Sequence, residues 1–176
     1  MRQLLLLRHA KSSWDDPKLP DHLRPLNARG KRAAKAIRAT LGKLGLAPDL
    51  VLVSSARRAL QTLEAIEPFD ETPLIEPMDA LYLATGPQLL RVLNDTAETV
   101  RSVMLIGHNP GLHDLARLLI GEHAADADDD NPLIRRIVEA FPTGALAEFA
   151  VASPWSGLQP GGGRLLHFVA ARDLEP

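Results

Sequence analysis

The chain has 176 residues, 45% hydrophobic and 24% charged, which fits one folded domain over 1–176 with its own core rather than a disordered chain. Twenty Lys and Arg against 22 Asp and Glu give a formal charge of -2, so no global field favours nucleic acid or an anionic membrane, and anion binding needs a local cluster. With no cysteine, disulfides, thiol catalysis and cysteine-ligated metals are excluded; no apolar run approaches the roughly 18–20 residues of a membrane span, and a cytoplasmic protein is expected.

The first element is "LLLL" at 4–7, apolar at every position as a strand covered on both faces should be. It stops at Arg8 and His9, and "KSSWDD" follows as a loop, with Trp14 expected to pack against whatever that strand end forms. "LNARGKRAAKAIRATLGKLG" at 26–45 predicts a helix with Ala33, Ile37, Leu41 and Leu44 on its apolar face and Gly45 as its stop. "LVLV" at 50–53 is a second buried strand. "SSARRALQTLEAIE" at 54–67 predicts a serine-capped helix that buries Ala59, Leu63 and Ile66.

A third helix is predicted at 87–95 and a third buried strand, "VMLI", at 103–106. The helix at 110–121 would start with Asn109 as N-cap and Pro110 in its first turn. "EHAADADDDNP" at 122–132 reads as an acidic surface loop. Two further strands, 144–152 and 164–171, flank the turn-rich "SPWSGLQPGGG" and suit a hairpin. The predicted fold is a three-layer α/β/α sandwich with a mostly parallel central sheet and an antiparallel C-terminal part.

Each apolar strand runs into polar residues: Arg8 and His9, then Ser54, Ser55, Arg57 and Arg58, then Gly107, His108 and Asn109. Ligand sites of open parallel sheets form beyond the strands' carboxyl ends. If the three strands are neighbours, two histidines and two or three arginines meet in one crevice, an arrangement suited to a tetrahedral oxyanion. A single such residue would be a solvated edge or a structural hydrogen bonder; two histidines and arginines at separate strand ends point to a site.

"LLRHA" at the first strand, "SSARRALQT" at 54–62 and "GHNPGL" at 107–112 resemble the three motifs of the histidine phosphatase superfamily. "PLNARGKRAAKA" at 25–36 also resembles that family, and "LYLATGPQLLRVL" at 81–93 and "FPTGAL" at 141–146 are similar to its SixA-like phosphohistidine phosphatase branch. The resemblance implies a phosphoglycerate mutase-like fold, with His9 attacking phosphorus and Arg8, Arg58 and His108 holding the phosphoryl oxygens. It places Arg58 rather than Arg57 in the motif, leaving Arg57 at the rim. Ser12 and Asn109 are candidate hydrogen-bond donors to the phosphate, and His22 with Arg24 could line the mouth.

The resemblance calls for no cofactor, and no spacing of His, Asp and Glu suggests a metal cage. Expected substrates are a protein phosphohistidine or a small phosphorylated molecule, with a monomer plausible. A phosphatase of small phosphoesters and a non-catalytic phosphate-binding module are the alternatives, and a mutase is disfavoured. Two positions depart from the family: Ala10 stands where glycine is usual, and no general acid is evident. Glu76, Asp79, Asp15, Asp16 and Asp21 are candidates for that acid, each with a surface role as the simpler reading. His113, His123 and His167 carry no motif.

Overall fold

The computed structural model describes residues 1–122 and 131–174. One six-stranded sheet runs β3-β2-β4-β1-β5-β6. Its strands are β1 (Arg2–Arg8), β2 (Leu50–Ser54), β3 (Leu74–Met78), β4 (Ser102–Gly107), β5 (Leu146–Val151) and β6 (Gly163–Val169). β1, β2, β3 and β4 are mutually parallel, while on the other side of β1 comes β5, antiparallel to it, and then β6, antiparallel to β5. The three continuous apolar runs are therefore adjacent central strands, with Arg8 opposite Gly107 and Leu50 opposite Val103.

Alternation along those strands builds two cores. Leu4, Leu6, Leu52 and Leu105 face one layer; Leu5, Leu7, Val53 and Ile106 face the other. The first layer contains α3 (Gly86–Asn94), α4 (Gly111–Ile120) and α5 (Pro132–Glu139); the second contains α1 (Ala28–Leu44) and α2 (Arg57–Ile66). A last short helix, α6 (Ala171–Leu174), touches α1. The α/β/α sandwich and its antiparallel C-terminal part are as the patterning predicted. Among the described residues no helix is long and apolar enough to cross a membrane.

Local expectations fail where a side chain has a better partner. The buried face of α1 is Gly30, Ala34, Ile37 and Leu41, so Ile37 and Leu41 are buried as predicted, while Ala34 takes the place of Ala33 and Leu44 is left 37% exposed. Gly30 joins it because a Cβ there would lie 2.1 Å from the Lys11 carbonyl. The serines do not cap α2; its N-cap is Ala56, and Ser54 Oγ accepts instead from the Ala56 N–H. Nor does Asn109 cap α4, whose N-cap is Pro110; the Asn109 amide donates to the Phe141 carbonyl.

Three elements escaped the patterning, among them the short α6, whose first residue was predicted as strand. β3 is an exposed edge strand carrying Glu76 and Pro77, where burial imposes no apolar run. α5 follows the acidic stretch, its start held by Asn131, whose side chain accepts from the Leu133 and Ile134 N–H groups. Most of the predicted acidic loop, with His123, lies outside the described residues.

Candidate active site

The parallel register carries β1, β2 and β4 to a common end, where His9, Ser54 and His108 emerge and α2 and α4 begin. There His9 and His108 stand with ring centroids 5.1 Å apart, and both are buried. Arg58, in the first turn of α2 and only 3% exposed, bridges them. Its Nε donates to His9 Nε2 at 3.4 Å and its Nη2 lies 3.4 Å from His108 Nδ1.

Hydrogen bonds fix each ring. His9 Nδ1 is 2.8 Å from the Ala10 carbonyl, so that nitrogen carries the proton and Nε2 keeps its lone pair toward Arg58. Burial pushes the His9 pKa down to about 4; the Ala10 carbonyl opposes this, while Arg58, Arg8 and Arg24 add to it. His108 Nε2 donates to Ser54 Oγ at 2.7 Å, which leaves Nδ1 as the acceptor facing Arg58. Burial, then His9 and Arg58, lowers its pKa to about 3. Both rings are therefore neutral at physiological pH.

The cavity over these groups has a volume of about 300 Å³. Arg8, Lys11, Arg24 and Arg58 supply its charge, and among the described residues no carboxylate lines it. Arg8 Nη1 is anchored on the Phe141 carbonyl at 3.1 Å, whereas its buried Nε has no partner among the described residues. Ser12 and Asn109 also line the cavity. Ser12 Oγ accepts from Arg24 at 2.7 Å, and the Asn109 amide is drawn to Phe141. A larger depression of about 910 Å³, beside Asp114, Arg117 and Gly161, is lined by neither histidine of the site.

The carboxylate candidates separate by position. Glu76 and Asp79 are exposed at β3 and its end, Asp15 and Asp16 are exposed in the first loop, and none of them lines the cavity. Asp21 alone reaches the site's cations: Oδ1 accepts from Arg24 and Oδ2 from Arg58 at 3.0 Å and from the Tyr82 hydroxyl. Burial raises its pKa, but the bonds from Tyr82, Arg58 and Arg24 outweigh that and hold it at about 2. Asp21 is thus an anion that orients Arg58, and at neutral pH it has no proton to give.

Several supporting residues had no place in the sequence reading. Thr62 Oγ1 accepts from the Ala10 N–H at 3.0 Å and donates to the Arg58 carbonyl at 2.7 Å, tying the histidine loop to α2. Gln61 accepts from Leu26 N at 2.8 Å. Both belong to the "RALQT" motif, which was the available signal. Tyr82 had none beyond its motif, since its link to Asp21 spans 61 residues of sequence.

Ala10 does not occupy the left-handed region, so glycine's freedom is not required at that position. His22 packs edge-on against Tyr82 and lies 2.9 Å from Ser55 Oγ, beside the cavity rather than in its lining, whereas Arg24 does line it. Arg57 is exposed and reaches the Leu23 carbonyl. His113 bonds the Ile137 carbonyl of α5, and His167 bonds Glu148. Trp14 is not a packed wall; it stands 74% exposed at the rim with the Arg24 guanidinium 3.5 Å from its ring centre. Among the described residues no three His, Asp or Glu side chains group as metal ligands.

The sequence profile of the histidine phosphatase superfamily (branch 1) matches residues 4–80. An uncharacterized protein of Mycobacterium tuberculosis (strain H37Rv) is 34% identical over 169 residues, covering 94% of this chain and 100% of that one. The structure of a proposed phosphohistidine phosphatase SixA from Agrobacterium tumefaciens aligns with a TM-score of 0.79 at 31% identity, over 96% of this chain and 97% of that chain. A second, from Nakamurella multipartitia, aligns at 0.82 and 27%, over 96% and 95%.

Proposed function

From the premise that the chain belongs to the histidine phosphatase superfamily, we propose that it hydrolyses phosphohistidine on a protein through a covalent phosphoryl intermediate on His9. The observation that carries this reading is the His9 tautomer: a buried, neutral imidazole with its lone pair on Nε2, facing Arg58 in a cavity whose charges are all cationic.

In the first step His9 Nε2 bonds to phosphorus as the bond to the leaving group breaks. Arg8 and Arg58 take the phosphoryl oxygens, where fixed donors stabilise the charge of the transition state without reorganisation, and His108, whose Nδ1 accepts from Arg58, holds that guanidinium in place. In the second step water attacks phosphorus and the P–Nε2 bond breaks. His9 returns neutral, and the water's protons leave on dihydrogen phosphate.

The leaving group decides between substrates. Among the described residues no carboxylic acid lines the cavity, and Asp21 is held ionised, so an alkoxide would depart without a proton from any of them. A phosphohistidine protonated on its second ring nitrogen departs as neutral imidazole and needs none. The SixA-named structures are similar over nearly the whole chain, which supports the same substrate class.

The test is brief incubation with phosphohistidine protein labelled on phosphorus, followed by acid and alkaline washes. Wild-type protein should retain an acid-labile, alkali-stable label and His9→Ala none. Substrate binding without any label would leave a non-catalytic phosphate-binding module. Faster turnover of sugar or nucleotide phosphates would transfer the assignment to phosphoesters.

A further inference from the structure

Two large apolar side chains stand open on the lining of the catalytic cavity. Trp14 is 74% exposed and Leu83 55%, and they come from separate loops, one after β1 and one between β3 and α3. Leu83 has φ 53, which makes it the one non-glycine residue at positive φ among those described. That conformation strains a leucine, while asparagine tolerates it. Persistent strain of this kind marks positions held by their surroundings for a purpose.

Those surroundings are visible. On one side of Leu83, Tyr82 is tied through its hydroxyl to Asp21; on the other, Ala84 is only 7% exposed in the core under α3. The chain between two anchored residues therefore turns its leucine outward. Trp14 is fixed differently. Its ring lies against the Arg24 guanidinium, which Asp21, Ser12 Oγ and the Ser13 carbonyl hold. Stacking on a cation gives the indole one orientation without burying it.

A small phosphorylated molecule gives these residues nothing to do. Small-ligand pockets bury most of their ligand and are closed by their own apolar lining. Here the charge that meets the phosphoryl group lies below, on Arg8, Arg24 and Arg58, while the apolar groups face solvent around it. That layout suits a protein surface that presents one anionic side chain among apolar neighbours. Aromatic and aliphatic anchors carry binding energy when such a surface covers them.

Resting on the phosphatase reading above, we propose that Trp14 and Leu83 form an apolar docking rim for the folded protein that carries the phosphorylated side chain. The phosphoryl anion complements the cavity's cations, and the two rim residues read the surface around it.

Two substrates separate the rim from the chemistry. One is a histidine phosphotransfer domain phosphorylated with phosphoramidate; the other is phosphoramidate itself. Trp14→Ser and Leu83→Asn should each raise KM for the phosphorylated domain at least tenfold and leave kcat/KM for phosphoramidate within twofold. Leu83→Asn should leave Tm no lower than wild type, because asparagine accepts the left-handed conformation. Equal losses on both substrates, an unchanged KM for the domain, or a Tm drop of several degrees in Leu83→Asn would each overturn the rim. Wild-type protein inert toward both substrates would overturn the phosphatase reading and the rim with it.

Discussion

Acid should act on this protein through its two buried site histidines, His9 and His108. An ordinary histidine titrates near 6.5, whereas burial and the surrounding guanidinium groups push His9 down to about 4. Between those values the unfolded chain binds a proton that the folded chain refuses. Stability from this residue is therefore complete above pH 6.5 and is lost as pH falls toward 4. A displacement from 6.5 to about 4 corresponds to about 3 kcal/mol at 1.36 kcal/mol per unit.

The same displacement keeps the proposed nucleophile neutral. At pH 5 a ring with pKa about 4 is about nine-tenths neutral, whereas an unperturbed one is about 97% protonated. The assay is a titration of the ring carbon resonances from pH 3.5 to 8, with the His9 signal assigned by its loss in His9→Gln. Urea unfolding of both proteins at pH 7 and pH 4.5 accompanies it. The His9 signal should move only below pH 5, and His9→Gln should lose less stability than wild type between the two pH values. A His9 midpoint near 6.5, or equal acid sensitivity in the two proteins, would refute the account of a buried, neutral imidazole.

Three substitutions test its supports. Thr62→Val keeps the side chain's shape but strands the buried Ala10 N–H, so chemical unfolding should show a loss of about 1–3 kcal/mol and the label on His9 should form more slowly. Gly30→Ala places a Cβ 2.1 Å from the Lys11 carbonyl, two residues past His9; relief needs roughly an ångström of movement, and kcat should fall on the order of 100-fold. A kcat within threefold of wild type would show that α1 shifts without disturbing the loop. Asp21→Asn should lower kcat equally for good and poor leaving groups, since the native carboxylate orients Arg58 and carries no proton at neutral pH. A loss confined to poor leaving groups in a leaving-group series would make Asp21 the acid.

How much could be read in advance varied with what constrained each residue. The central strands were legible because burial on both faces forces continuous apolar sequence, and the middles of β1, β2 and β4 obey that. β3 has no such constraint and was invisible. Arg8, His9, Arg58 and His108 could be named because each ends a buried run or follows it within a turn. Caps were misjudged where a cap-forming side chain had a second option: Ser54 serves His108 and the Ala56 N–H, and Asn109 serves Phe141.

The sequence by itself determined the layers of the sandwich, the strand ends that bear the candidate site and the motifs placing the chain in its family. All of these follow from local periodicity or from residues close together along the chain. Only the tertiary structure decided what those residues can do. The proton on His9 Nδ1, the depressed pKa of both rings, the choice of Asp21 among five carboxylates and the outward turn of Leu83 arise from groups far apart in sequence. Hydrogen-bond geometry and desolvation act across space, and the order of residues along a chain does not encode them directly.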